Sequence, residues 1–397
     1  MPSDRQILYL LLTATTLAMA GRAPVDRSWR SMGIGGAGVA VVDDAQAIHL
    51  NPAGLTQIGG RGTFSPLDSL GYKVNTFDLR LIGIGVDPSA ENLPGFQRFW
   101  NRHKATIDSA TNEDPILLAK NQQFLDDIYA FDRKPLPLNV SADMEAAFHN
   151  WGAAVWSQGE VAMQLDHGAI TPKAALRVIT TSAIELATAQ AFMDDRLSLG
   201  FGYRIVARSR ESREYDIIEL NTDGSSAPEK MLRNTASKVS RAADWGHGFD
   251  LGALWFQTPS LRLGGSLRGV GMRLEGRVVT PNLSLGLAWA PKSWQVGQIF
   301  TRRVNFAADL EDVLYDTLGY KPLSKIGFGV EFSQTVHPYF LEAGISAGVK
   351  GGYPTLLLSA TLLRFIRCEA LTYGEETGYF TGDRENRVWM ARVGFGL

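Results

Sequence analysis

Two glycine patterns and six histidines are the places where this sequence could do chemistry. Gly33, Gly35 and Gly38 spell G-x-G-x-x-G, the pattern that lets backbone approach a dinucleotide pyrophosphate. That chemistry needs a strand before the glycines and a βαβ unit around them, and neither is present. Gly344-Ile345-Ser346-Ala347-Gly348 matches the hydrolase elbow G-x-S-x-G, yet it leads through Gly351 and Gly352 into another alternating segment and not into a helix. The histidines (His49, His103, His149, His167, His247, His337) show no i, i+4 pair and no acidic partner at metal-ligand spacing. The sequence therefore predicts no catalytic residue, no metal site and no cofactor. A hydrolase would require Ser346 or another serine within hydrogen-bond reach of a histidine.

Residues 31–55 (SMGIGGAGVAVVDDAQAIHLNPAGL), which hold the first glycine pattern and His49, form a small, Gly-rich, mildly apolar stretch. It carries the adjacent acids Asp43 and Asp44 and ends in Asn51-Pro52-Ala53, a turn or helix-start signal in which Pro52 fixes its own φ. The chain after about Arg61 alternates in short segments, so this compact head is expected at or inside a barrel mouth. Before it, residues 1–20 have a polar start with Arg5, an apolar stretch over 7–19 and a small-x-small end at Ala18-Met19-Ala20. That is the pattern of a cleaved secretory signal peptide.

The chain has 397 residues, a formal net charge of −2, 45% hydrophobic residues, 41 Gly and one cysteine. Cys368 alone forms no disulfide within the chain. After the leader no apolar run approaches the length of a spanning helix, and a near-neutral charge without basic blocks gives no basis for nucleic acid.

Alternation carries the fold class. In 140–148 the apolar set Val140, Ala142, Met144, Ala146 and Phe148 opposes Ser141, Asp143, Glu145 and Ala147. In 176–186 Leu176, Val178, Thr180, Ser182, Ile184 and Leu186 oppose Arg177, Ile179, Thr181, Ala183 and Glu185. In 197–207 Leu199, Phe201 and Tyr203 oppose Gly200, Gly202 and Arg204. Downstream, Phe249, Leu251 and Trp255 oppose Asp250; Leu261 and Leu263 oppose Arg262; Phe328 and Val330 oppose Glu331; Ile345 opposes Ser346 and Glu342; Val393 and Leu397 oppose Arg392. Soluble sandwiches also alternate. The polar face, however, carries Gly and isolated charges of both signs, as a lumen would, and Trp151, Trp156, Tyr203, Trp255, Trp289, Tyr373 and Trp389 fit an interfacial girdle. The expectation is an all-β fold, a closed antiparallel transmembrane β-barrel of about 14 to 16 strands with Arg177, Arg204, Asp250, Arg262, Glu331, Glu342 and Arg392 facing the lumen.

Residues 93–134 break the rhythm. Ile116, Leu117, Phe124, Leu125, Ile128, Tyr129 and Phe131 are spaced for one apolar helical stripe, with a start at 112–114 before Pro115. The insert packs on the barrel mouth, lies at the membrane interface, or is a solvated linker. Residues 219–239 read as a long polar loop.

Arg30-Ser31-Met32-Gly33, the Gly-rich run, Asp43-Asp44-Ala45 and Asn51-Pro52-Ala53-Gly54-Leu55 resemble the N-terminal plug signature of the long-chain fatty-acid transporter (FadL-type, Toluene_X) superfamily of outer-membrane barrels. The segments Gly327-Phe328-Gly329-Val330-Glu331, Gly352-Tyr353-Pro354-Thr355 and Tyr373-Gly374-Glu375-Glu376 look most like its PorV/TraF-like branch. The resemblance implies a bacterial outer-membrane location and a 14-stranded barrel (61–397) after a plug (21–60) with Asn51-Pro52-Ala53 as the hatch turn; the helical insert 93–134 and the terminal Leu397 depart from the family pattern. Gating would fall to Gly33, Gly35, Gly36, Gly38, Asp43, Asp44, Asn51, Pro52 and Ala53. The implied function is passive uptake of small hydrophobic compounds. The alternative is a structural or interaction barrel serving export or conjugal-transfer machinery, with an exported protein as partner in place of a hydrophobic ligand. If residues 33–55 are a plug, Asp43 or Asp44 is expected to pair with a lumenal arginine such as Arg204, Arg262 or Arg392, because an unpaired desolvated carboxylate is costly.

Overall fold

The computed structural model describes residues 28–58, 77–88, 95, 98–99, 101–103, 105–106, 121–131, 135–166, 173–216, 243–296, 300–314, 325–336, 341–363, 365–376 and 385–396. The leader, residues 112–117, the polar loop 219–239 and Leu397 lie outside them.

Fourteen strands form the barrel wall: β1 Phe77–Pro88, β2 Pro135–Phe148, β3 Trp151–Asp166, β4 Lys173–Phe192, β5 Leu197–Asp216, β6 Asp244–Phe256 and β7 Leu261–Val270, followed by β8 Asn282–Trp289, β9 Phe300–Leu310, β10 Ile326–Val336, β11 Leu341–Lys350, β12 Tyr353–Leu362, β13 Ile366–Glu376 and β14 Glu385–Gly396. Each pairs antiparallel with its sequence neighbour, and β1 pairs with β14 through Gly83↔Gly394 and Gly85↔Arg392. The ring therefore begins at Phe77. Without β1, the strands β2 and β14 would be left as unpaired edges, which a membrane does not tolerate.

The seam between β8 and β9 is the least regular part of the wall. Leu285↔Leu310 to Trp289↔Phe306 is a continuous ladder, whereas the next pairing, Trp294↔Arg302, belongs to the short segment Trp294–Val296. Pro291 lies between the two and has no N–H to donate.

Period-two burial follows the sequence pattern closely. Leu199, Phe201, Leu251 and Phe328 are exposed on the outer face, while Arg204 and Asp250 at alternate positions are buried inside. So large an apolar outer surface suits lipid, and no described helix is long and apolar enough to cross a membrane. Two aromatics depart from the expected girdle: Trp156 and Tyr373 are 2% and 1% exposed and lie in lumenal clusters, because their strand phase points inward. Leu176 and Val178 hold the outward phase yet are buried.

One end of the barrel carries the connections 149–150, 193–196, 257–260, 290–299, 337–340 and 363–365; the other carries 89–134, 167–172, 217–243, 271–281, 311–325, 351–352 and 377–384. The insert is at the long-connection end. Its described helix α3, Gln122–Phe131, lies against β3, with Phe124 and Ile128 buried. Tyr129, expected in the same stripe, is 56% exposed. His103 and Arg102 both reach Asp127 at 2.7 Å, and the His103 hydrogen bond holds that carboxyl below its usual range.

Candidate functional site

The lumen is filled by the chain's own N-terminal segment, residues 28–58, and the main core cluster sits between this plug and the wall. Ile34, Val41, Val42, Ile48 and Leu55 of the plug meet the wall alanines Ala147, Ala154, Ala187, Ala288 and Ala307. Small wall residues leave room for plug side chains, and each fully buried Val, Ile or Leu contributes about 1.5–3 kcal/mol.

Local sequence explains how so short a segment holds a shape. Ser28 caps the first helix, α1 Trp29–Gly33, by accepting from Ser31 N at 3.2 Å. Gly35 and Gly36 then turn the chain at φ 74° and 83°, a region that side chains with a Cβ resist. After the single-turn helix α2 (Ala47–Leu50), Asn51 caps the 3₁₀ turn Pro52–Gln57 by accepting from Ala53 N at 3.2 Å, with Pro52 at its first position. The Asn51 amide also donates to Val39 O at 2.9 Å and to Ala253 O of β6 at 3.1 Å. The expected hatch turn is thus a capped helix start bonded to the wall.

The plug meets the wall backbone to backbone. A Cβ on Gly327 or Gly348 would overlap Gly35, and one on Gly329 would lie 2.8 Å from Ile34. At the other end of the plug, a Cβ on Gly200 or Gly252 would strike Pro52, Ala53 or Asn51, and Gly264 and Gly286 approach Val39 and Ala40. From the plug side, Gly33 abuts Leu357 and Gly36 abuts Lys350, while Gly38 packs on Ser31 within the plug itself. Sequence reading saw the wall glycines only as part of a polar face; their positions opposite plug backbone come from the tertiary structure.

Charges complete the fit, and here the structure corrects an expectation. Asp43 and Asp44 pair with Arg30 of the plug itself, not with Arg204, Arg262 or Arg392. Arg30 in turn reaches across to Glu331 of β10 with two bonds of 2.8 Å, so one guanidinium joins the plug's own acids to the wall. It can do so because its planar fork serves several carboxylates at once. Burial pushes the Asp44 carboxyl up to about 6, with Arg30 opposing that rise. Asp309 of β9 accepts from Gly38 N at 2.7 Å and Val39 N at 2.8 Å, and Lys350 pairs with Glu311 at 2.9 Å beside Gly36.

The wall arginines have other partners. Arg204 is held by Asp250 and Glu185, and Arg392 by Glu369 and by Asp143 at 3.3 Å, while lying 4.7 Å over the Trp29 ring. Arg262 is buried, Arg177 is half-buried on the lumenal phase of β4, and Glu342 pairs with Arg303 at 2.7 Å. The cluster that sequence reading missed is His49 of α2, whose two ring nitrogens contact Glu185 of β4 at 2.9 Å and Glu145 of β2 at 3.1 Å. Trp156 donates to Glu185 at 2.9 Å. The signal was present in the sequence: Glu145 and Glu185 both lie on the polar phase of their strands, and His49 lies in the plug.

Within the plug is a void of about 10 Å³, lined by its own Ile34, Val41, Val42, Leu50, Arg30 and Asp44 among others, enough for one water and no larger solute. Ser346 is buried on a strand, not on a strand-to-helix turn. Among the described residues no group of three or more His, Cys, Asp or Glu is arranged to hold a metal ion; the two carboxylates at His49 contact different ring nitrogens and do not converge.

No protein-family model and no curated protein matches the chain. Among solved structures, it is similar to the toluene transporter TodX of Pseudomonas putida, with a TM-score of 0.45 at 10% identity over 94% of this chain and 98% of that one. The toluene transporter TbuX of Ralstonia pickettii gives a TM-score of 0.43 at 11% identity over 93% and 97%. CdiB from Acinetobacter baumannii gives 0.35 at 9% identity, covering 82% of this chain and 60% of CdiB, so this chain spans less than two thirds of that protein. The assignment of this chain as a plugged, 14-stranded barrel of outer-membrane type rests on its own strand ladder and on the contacts inside its lumen.

Proposed function

We propose that this protein is an outer-membrane channel for small hydrophobic compounds, closed at rest by residues 28–58 and opened when that plug shifts. The observation that carries the reading is the apolar seam between plug and wall, where Val41, Val42, Ile48 and Leu55 face a row of alanines. Shifting the plug parts this seam without breaking any wall ladder, and an apolar solute entering it would meet methyl groups. The irregular β8–β9 seam gives the wall a second weak line near the short-turn end. Short turns face the periplasm in bacterial barrels, and that rule supports an outer-surface position for the helical insert.

Deleting residues 31–55 behind an intact leader is the direct test. The barrel is expected to assemble, single-channel conductance in planar bilayers to rise, and cells to become sensitive to bulky antibiotics. Unchanged conductance would sink the plug-gated reading.

A second reading is favoured by the density of charge in the lumen. Glu145, Glu185, Arg204, Asp250, Glu369 and Arg392 all lie buried there, a poor path for an apolar solute and a firm lock for a sealed scaffold. In that case the protein would be a PorV/TraF-like interaction barrel presenting its insert to an exported protein. Uptake of an apolar aromatic by proteoliposomes separates the two: transport by the wild-type protein supports the channel, and no uptake with a barrel that stays sealed supports the scaffold.

A further inference from the structure

The contact between His49 and the wall has a proton count that differs from that of an ordinary buried histidine. Nδ1 lies 2.9 Å from Glu185 Oε2 and Nε2 lies 3.1 Å from Glu145 Oε1, with the ring, both carboxylates and Trp156 all buried. A neutral imidazole has one N–H and one lone pair. Facing two carboxylates, it could bond only one of them and would set its lone pair against the other's negative oxygen. Two hydrogen bonds at these distances need two hydrogens, one more than a neutral ring and two ionised glutamates possess. The extra proton is required whether it rides on the second ring nitrogen or on a carboxyl.

We infer that His49, Glu145 and Glu185 form a proton-binding latch that holds the plug in the lumen, and that loss of its proton releases the plug's rear half. The inference rests on the plug-gated reading above. The ring is the only plug group between β2 and β4 with this pair of contacts among the described residues. The wall strands on either side of it supply charge, and β3 between them supplies the Trp156 N–H. Arg80 of β1 pairs with Glu145 at 3.2 Å and Asp143 at 3.3 Å, and Arg392 of β14 pairs with Asp143. Arg204 of β5 lies 3.6 Å from Glu185 and is also bound to Asp250 of β6, and Arg268 of β7 donates to the His49 carbonyl at 3.1 Å. Two carboxylates on one ring favour the shared proton, and the nearby Arg80, Arg204 and Arg268 oppose it. When the proton leaves, one glutamate faces a lone pair across a desolvated gap, and the bond that ties α2 to that strand is lost. A buried acceptor left without its donor costs enough to shift a two-state equilibrium about tenfold or more.

The test uses the full-length protein in bilayers and in micelles. Conductance is followed as pH rises from about 6 to about 10, a range spanning ordinary imidazole titration, together with the ¹⁵N shifts of the histidine rings, the His49 signals being those absent from His49→Gln. Both His49 nitrogens, or one nitrogen and a carboxyl, should hold protons at neutral pH, and conductance should rise about tenfold in alkali as that proton is lost. His49→Gln, which has no second donor edge, should conduct at every pH. Should His49→Gln fail to fold, Glu185→Gln serves instead: its amide can donate to the ring's lone pair, so a neutral ring keeps both bonds, the plug should stay closed and the alkaline step should be lost, and an unchanged alkaline step there would overturn the latch. A neutral, single-tautomer ring with both glutamates ionised at neutral pH overturns the latch, and so does an alkaline step unchanged in His49→Gln. If deleting 31–55 raises conductance and pH does not, the latch fails alone; if the deletion also leaves conductance unchanged, the channel reading has failed with it.

Discussion

The two ends of the plug are seated in different ways. The front, Trp29 to Gly38, lies against β9 to β14 through Gly35 on Gly327 and Gly348, through the Arg30 fork on Glu331, and through Trp29 among Leu357, Leu371, Tyr373 and Val388. The rear, His49 to Leu55, lies against β2 to β7 through Pro52 and Ala53 on Gly200 and Gly252 and through the His49 clamp. Both rely on wall glycines for close backbone approach. They differ in the charge that ties them: a guanidinium, which keeps its proton at every accessible pH, against an imidazole, which does not. The difference teaches that one seat is permanent and the other conditional, so the plug should pivot on its front and let go at its rear.

The largest test of that asymmetry is Arg30→Ala. It leaves Glu331, Asp43 and Asp44 together without their cation and should cost about 3–5 kcal/mol, as removal of one partner from buried ion pairs does. Loss of the front seat should be seen as protease cleavage within residues 28–58 of the folded barrel. A plug that remains fully protected would mean the rear alone can hold it.

Steric wedges come next. Gly327→Val should displace the front and Gly200→Val the rear, each by an overpacking cost of about 1–3 kcal/mol. Open-channel probability in bilayers should rise for Gly200→Val more than for Gly327→Val if the rear is the moving end; the reverse order breaks the pivot.

Asn51→Ala removes the 3₁₀ cap and the two bonds to Val39 and Ala253, an effect of about 1 kcal/mol. A small rise in conductance of the same sign as Gly200→Val is expected.

The smallest change is Asp44→Asn. The docked carboxyl titrates near 6, above the ordinary aspartate value, so the docked state binds the proton more tightly than the released one. Its contribution to docking is therefore full at acid pH and fades as pH climbs from about 4 to about 6. The asparagine variant, which resembles the protonated carboxyl, should flatten plug release over that window, matching wild type at acid pH and holding the plug more firmly at neutral pH. A pH profile identical to wild type would show that another group titrates there.

Much of the wall was legible in the sequence because a lipid-facing strand must alternate: Phe201 beside Gly202, Leu251 beside Asp250 and Phe328 beside Gly327 each declare which face is which with no knowledge of neighbours. The head of the chain was legible too, since Asn51-Pro52 starts a helix by local bonding and glycines at 33–38 mark close packing. Aromatics were not. Trp156 carries the same side chain as Trp151 and Trp389, and Tyr373 the same as Tyr203, and only strand phase and lumenal partners decide that Trp156 and Tyr373 lie inside.

What the sequence by itself determined is therefore periodic or local: the strand faces, the size class of the barrel and the capped turns of the plug, all set by neighbours within a few residues. What the tertiary structure decided is which distant residues meet. Arg30 satisfies Asp43 and Asp44 although lumenal arginines were available, β1 closes the ring on β14, and His49 falls between two strands 40 residues apart in register positions Glu145 and Glu185. Charges at long sequence separation carry no period, and a lumen offers each of them several partners; packing of the plug backbone on wall glycines selects one arrangement.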